Sequence, residues 1–208
     1  YEQSTGENAV KLAKIHEKVA KETGASLAVA VSPVDVFRVA SEVSIPVFSQ
    51  HVDGCDYGKF TGHILPQAIK KAGGIGSLIN HSERRLEVDA VNHATSCAQK
   101  ASLCRVICAE NPDEVEELSE FDPDFIAFEP PELIGSTTAS VASESPDSIA
   151  ESVTRAKGIP LLVGAGINCK EDVEVSLKLG AQGFLVATAV VKAKDPEKAL
   201  RMFVEAMS

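Results

Sequence analysis

No apolar run in this chain approaches the roughly 18–20 residues that cross a bilayer, and none reads as a secretory signal, so no membrane role is expected. Positive charge is also scarce. Twenty Lys and Arg stand against 30 Asp and Glu, a formal net charge of −10. A phosphate backbone needs a basic face to hold it, which argues against nucleic acid as a partner. The five cysteines, Cys55, Cys97, Cys104, Cys108 and Cys169, include no CxxC pair, and an odd number cannot all pair within one chain. Cys104 and Cys108 share a face of an expected strand, but two sulfurs without neighbouring histidines make a poor zinc site. No metal is expected, and buried reduced thiols in a cytoplasmic protein are the better account. Neither a GxGxxG nor a Walker-type loop occurs, so no nucleotide cofactor is expected either. No linker, low-complexity tract or composition break divides the 208 residues. They read as a single domain, 1–208, long enough for a substantial core.

What is present is a regular alternation of short apolar runs with amphipathic stretches. Strands are expected at Ser26–Val31, Pro46–Gln50, Gly74–Ile79, Leu103–Cys108, Phe125–Phe128, Pro160–Val163 and Gly183–Ala187. Several are nearly continuous in Val, Ile, Leu and Ala, as parallel strands covered on both faces should be. Helices fall between them. Ser4-Thr5-Gly6-Glu7 has capping-box spacing before the first helix, and Gly24 follows its end. Asp195-Pro196 opens the last helix, with Asp as cap and Pro where its missing N–H costs nothing. A helix precedes the first of the seven strands, so right-handed β–α–β succession implies an eighth strand upstream of Tyr1. Repeat units of about 25–30 residues then favour a closed (β/α)8 barrel over an open sheet, whose edges closure removes.

Polar clusters follow the strands, where such folds place their chemistry. Asn80-His81-Ser82-Glu83-Arg84-Arg85 ends one strand with an imidazole, a carboxylate and two guanidinium groups within six residues. It reads as a catalytic histidine with a supporting carboxylate. An ion-paired helix start is the plainer alternative. Glu129 ends the strand Phe125–Phe128 beside Pro130 and Pro131, where partial desolvation would raise its proton affinity and suit a general base. The prolines and Gly135 suit a loop moving as a unit between hinges. Gly164-Ala165-Gly166-Ile167 and Ala187-Thr188-Ala189-Val190 follow two later strands. Their small residues allow backbone N–H groups to approach an anion, and barrel loops in that position commonly cradle phosphate. The long loop from Asp53 to Gly62, carrying Tyr57 and Phe60, reads as a protein–protein contact. His51 and His63 read as structural or interfacial, and His16 and His93 carry no local signal.

With these motifs in place, the chain resembles a triosephosphate isomerase of the short archaeal type over essentially its whole length. The sharpest pieces are Asn80–Arg85 and Phe128-Glu129-Pro130-Pro131-Glu132-Leu133-Ile134-Gly135. Gln50-His51-Val52-Asp53, Thr61-Gly62-His63 and Gly164–Ile167 add support. The resemblance implies a TIM barrel and a cofactor-free isomerase of glycolysis and gluconeogenesis, interconverting dihydroxyacetone phosphate and glyceraldehyde 3-phosphate. It implies that His81 is the neutral electrophile, that Glu129 is the base, and that Glu83 braces an active-site lysine. Backbone groups at Ile134, Gly135, Gly166, Ala187 and Thr188 would hold the phosphate. The Asp53–Gly62 loop would build a homo-oligomer, a tetramer or else a dimer, with Thr61 near a partner's pocket. In the family the lysine lies in an Asn-x-Lys just before the position of Tyr1. The literal 208-residue chain is therefore expected to be inactive or nearly so. Other phosphate-binding barrels and a catalytically dead barrel are the rival readings.

Overall fold

The computed structural model describes residues 1–133 and 140–207. The chain forms two compact units, Tyr1–Val106 and Ile107–Ser208. The first contains α1 (Glu7–Thr23), β1 (Val29–Val31), α2 (Val36–Ala40), β2 (Val47–Ser49), α3 (Pro66–Lys71), β3 (Gly76–Ile79) and α4 (Val88–Lys100). β4 (Cys104–Ala109) runs through the boundary. The second contains α5 (Pro112–Ser119), β5 (Phe125–Phe128), α6 (Val141–Glu144), α7 (Pro146–Arg155), β6 (Leu161–Val163), α8 (Lys170–Lys178), β7 (Gly183–Phe184), α9 (Thr188–Val191) and α10 (Pro196–Glu205). All seven expected strands are present: Phe125–Phe128 keeps its bounds, Leu103–Cys108 moves one residue on to Cys104–Ala109, and the other five are trimmed where their runs extend past the hydrogen-bonded ladder.

Strands follow chain order, β1 to β4 in the first unit and β4 to β7 in the second. Neighbouring strands pair in parallel: Val29 stands opposite Val47, Phe48 opposite Gly76, Ile126 opposite Leu161 and Leu162 opposite Gly183. β3 and β5 carry Ile79, Ile126, Ala127 and Phe128 at essentially no exposure. This is the two-sided burial that a β–α–β succession imposes. α1 contributes Ala9, Val10, Ala13 and Val19 from one stripe, its remaining face bearing charge.

Helix ends show where local chemistry decided and where it did not. Asp195 caps α10, its side chain accepting from Lys198 N at 3.0 Å, with Pro196 in the first turn. Gly24 closes α1 in the left-handed conformation. The capping box expected at Ser4–Glu7 does not form. Gly6 is the cap residue of α1, at φ 59 and ψ −128, and its N–H goes to Asp35 Oδ2 at 3.0 Å. Ser4 ends a short 3-10 turn and turns its hydroxyl to Tyr1 O. A glycine able to adopt that backbone, with a buried carboxylate waiting, outcompetes the serine.

Among the glycines of the first unit, Gly76 is the most tightly enclosed. A methyl there would meet the Phe48 ring, with Cδ1 at 2.5 Å, and Cys104 O at 2.7 Å. The carbonyl belongs to the neighbouring strand and cannot rotate away. Gly76→Ala is therefore expected to destabilise the protein by about 3 kcal/mol, the upper end of ordinary overpacking. A fall in the urea midpoint at unchanged slope checks this; an unchanged midpoint contradicts it.

Candidate active site

In the first unit polar side chains gather after β3. Asn80 is fully buried and sits at φ 65, a left-handed conformation that Asn tolerates better than most residues. Its Oδ1 accepts from Leu86 N at 2.9 Å, so one side chain closes the turn holding His81. His81 then caps the 3-10 turn Ser82–Arg84. Its Nδ1 accepts from Glu83 N at 3.3 Å, and its side chain is a quarter exposed. An Nδ1 that accepts a hydrogen bond carries no proton, so the neutral ring keeps its hydrogen on Nε2 as a donor. Glu83 is 84% exposed in its side chain, with Oε2 3.9 Å from His81 Nδ1.

Beside this turn lies a second polar group. His51 Nε2 and Asp53 Oδ1 are 3.1 Å apart, Asp53 Oδ2 accepts from Ile64 N at 2.6 Å, and Asp53 N donates to Ile64 O at 2.9 Å. Arg84 Nη2 reaches Asp53 Oδ1 at 3.5 Å. The long loop is thus pinned at its base, while Tyr57 and Phe60 at its crown are 61% and 45% exposed. Phe60 makes an edge-on contact with His63, ring centres 5.6 Å apart, and Lys71 Nζ stands 5.4 Å from the Tyr57 ring centre. Burial pushes the His51 imidazole below its ordinary range, although the Asp53 hydrogen bond works against it. Burial opposes the Asp53 charge most strongly, yet its hydrogen bonds from Ile64 and His51 hold the carboxyl below its usual value.

His16, on α1, is likewise lowered by burial against a hydrogen bond to Leu12 O. Both folded histidines therefore bind protons more weakly than in the unfolded chain. The unfolded state takes up more protons as pH falls through about 6.5, so stability declines there. A urea midpoint lower at about pH 5.5 than at about pH 7, with the slope reduced in His16→Gln, is the expected result. A flat profile across that window refutes it.

In the second unit Glu129 follows β5 directly, its N–H bonded to Ala109 O at 2.8 Å, and it is 5% exposed. Gly164 follows β6, its N–H bonded to Phe128 O at 3.0 Å. The two meet. A methyl on Gly164 would strike Glu129 Oε1 and stand 2.7 Å from its Cγ and 2.8 Å from its Cδ. Gly166 adopts φ 68, and Asn168 Nδ2 donates to Gly166 O at 2.8 Å. Ala187 is the cap residue of α9, which Thr188 begins. Ile134 and Gly135 lie outside the described residues. Among the described residues no group of three or more His, Cys, Asp or Glu could hold a metal, and no helix is long and apolar enough to cross a membrane.

The family model for triosephosphate isomerase matches residues 1–207. The chain belongs to the triosephosphate isomerase family. It is 44% identical over 204 residues to the triosephosphate isomerase of Methanosarcina acetivorans, covering 96% of this chain and 91% of that one. The Saccharolobus solfataricus enzyme is 42% identical over 207 residues, covering 98% and 91%. A crystal structure of triosephosphate isomerase from Bartonella henselae superposes with a TM-score of 0.75 at 22% identity, over 96% of this chain and 94% of that one. The protein is thus an isomerase of this archaeal type, on the TIM-barrel fold. The sequence alone does not show Asn80 as a turn-former, Gly164 as the neighbour of Glu129, or the buried carboxylate of Asp172.

Proposed function

We propose that this isomerase interconverts dihydroxyacetone phosphate and D-glyceraldehyde 3-phosphate through an enediolate, in glycolysis and gluconeogenesis. Glu129 removes a proton from one substrate carbon and returns it to the next. His81 polarises the carbonyl as a neutral imidazole and shuttles protons between the oxygens. A Glu base with a neutral His is the established pairing of triosephosphate isomerases, and it is carried here onto the matching residues. The single observation that supports it best is the hydrogen bond from Glu83 N to His81 Nδ1, which leaves Nε2–H as the donor an enediolate oxygen requires. The buried Glu129 beside Gly164 supports the base. Glu83 braces the active-site lysine of the family pattern. Backbone N–H groups at Ile134, Gly135, Gly166, Ala187 and Thr188 take the phosphate. No cofactor, metal, nucleic acid or membrane takes part, and the enzyme works in the cytoplasm. Isomerase activity with triose phosphate, measured here and in the variants below on a chain carrying the family's Asn-x-Lys ahead of Tyr1, together with solvent deuterium appearing at the substrate carbon that Glu129 serves, tests the reading. Turnover without solvent exchange in Glu129→Gln would refute it.

We further propose that the 208 residues form one domain and that the protein is a homo-oligomer built through the Asp53–Gly62 loop, a tetramer in preference to a dimer, with Thr61 close to a partner's pocket. The exposed rings of Tyr57 and Phe60 support this, since each leaves sizeable apolar area in water on a monomer. Light scattering at micromolar concentration should give four chains per particle, and calorimetry one cooperative transition. A fully active monomer would overturn the loop assignment, whereas a stable dimer would remove only the tetramer.

A further inference from the structure

The carboxylate of Asp172 collects more hydrogen bonds than a helix start needs. Asp172 lies in the first turn of α8 and is 8% exposed. Its Oδ2 accepts from Asn168 N at 2.9 Å, Cys169 N at 3.1 Å and Cys169 Sγ at 3.3 Å. Those contacts are ordinary capping. Its Oδ1 does something else. It accepts the Ser140 hydroxyl at 2.5 Å, from a residue 32 positions earlier that is itself 2% exposed. Burial opposes this carboxylate's charge more than any single contact favours it, yet its hydrogen bonds together hold it below the usual range. A charge maintained in a buried place is held there by donors placed for it.

Ser140 is the cap residue of α6, and the next residue completes a chain of contacts. Val141 N donates to Ala165 O at 3.3 Å. In a trans peptide the C=O and the following N–H point in opposite directions. Turning Ala165 O toward Val141 therefore turns the N–H of Gly166 the other way. The far side of Gly166 is fixed as well, because Asn168 Nδ2 holds Gly166 O at 2.8 Å while Asn168 N is held by Asp172. Both peptide planes flanking Gly166 thus lead back to one carboxylate, the first through Ser140 and Val141 and the second through Asn168.

We propose that Asp172 is the positioning residue for the phosphate grip of Gly166, setting the direction of its N–H before substrate arrives. The inference rests on the reading that this N–H takes the substrate phosphate. An amide already aimed spends no binding free energy on orientation, so losing its support weakens phosphate binding rather than the chemical step.

The test uses inorganic phosphate as a competitive inhibitor of the full enzyme, with KM and kcat for triose phosphate measured alongside. Asp172→Ala should raise the phosphate Ki and the KM together by about tenfold, with kcat within about threefold of the parent. Asp172→Asn should recover most of the loss. Its carboxamide oxygen can still accept from the two N–H groups, and its NH2 can donate to Ser140 Oγ. Ser140→Ala cuts only the distant tie and should raise Ki about threefold, and it carries the same test if Asp172→Ala does not fold. A merely structural role would lower thermal stability and the active fraction while leaving Ki and KM in place. That result, in whichever variant folds, overturns the proposal. If phosphate fails to compete even in the parent enzyme, the phosphate reading of Gly166 falls and this inference with it. Competition in the parent with unchanged Ki in the variants sinks this inference alone.

Discussion

Glu129→Asp is expected to lower kcat about 100-fold or more while moving KM little, because retracting a base by about 1 Å removes it from reach of the proton it must take. Shortening the side chain by one methylene leaves charge and hydrogen-bonding capacity intact, so distance is the variable tested. Gly164→Ala offers an independent approach to the same atom. Its methyl would strike Glu129 Oε1, with Cγ at 2.7 Å and Cδ at 2.8 Å, so the carboxylate must move although its own residue is unchanged. The two variants should therefore share a signature, a kcat loss with substrate still bound. Near-normal turnover in Glu129→Asp would remove Glu129 from the role of base. Normal turnover in Gly164→Ala would show that the carboxylate can yield without cost.

His81→Gln should retain binding of a phosphate-bearing substrate analogue and lose turnover by about 100-fold or more, the range over which positioned acid–base groups act. An imidazole with Nδ1 occupied by Glu83 N–H presents Nε2–H at a fixed angle, whereas a glutamine amide reaches a similar place with poorer proton-transfer chemistry. The nitrogen spectrum of the parent enzyme provides a second check: His81 should show the neutral ring with its proton on Nε2. A proton on Nδ1 would contradict the hydrogen bond, and normal turnover with lost analogue binding would contradict the role.

Much of this was legible in the sequence, and the reason differs by element. The seven strands could be read because burial on both faces leaves continuous apolar runs such as Phe125–Phe128, a purely local signal. The placement of His81 and Glu129 just after strands could be read because each lies within two residues of a strand end, inside a compact motif. What escaped depended on residues far apart in the chain. The N–H of Gly6 is claimed by Asp35, 29 residues away, and this displaced the expected Ser4 cap. The tie between Ser140 and Asp172 spans 32 residues, and neither residue type announces a partner. Gly164 resembled any small residue of a phosphate loop until the fold set it against Glu129. Asn80 was visible as a polar residue, but its left-handed backbone was not.

The thiols have a practical meaning for anyone keeping the enzyme in air. Cys55 and Cys97 are buried, and burial is the foremost cause raising the affinity of both sulfurs for their protons. At Cys169, where a helix start would ordinarily favour the thiolate, burial again pushes the thiol up, and the neighbouring Asp172 carboxylate adds to the effect. Peroxides and alkylating reagents attack the thiolate, so these three sulfurs should age slowly in storage and take up maleimide or iodoacetamide sluggishly near neutral pH. A surface cysteine introduced for a fluorophore could then be labelled ahead of them, without first stripping these three from the chain.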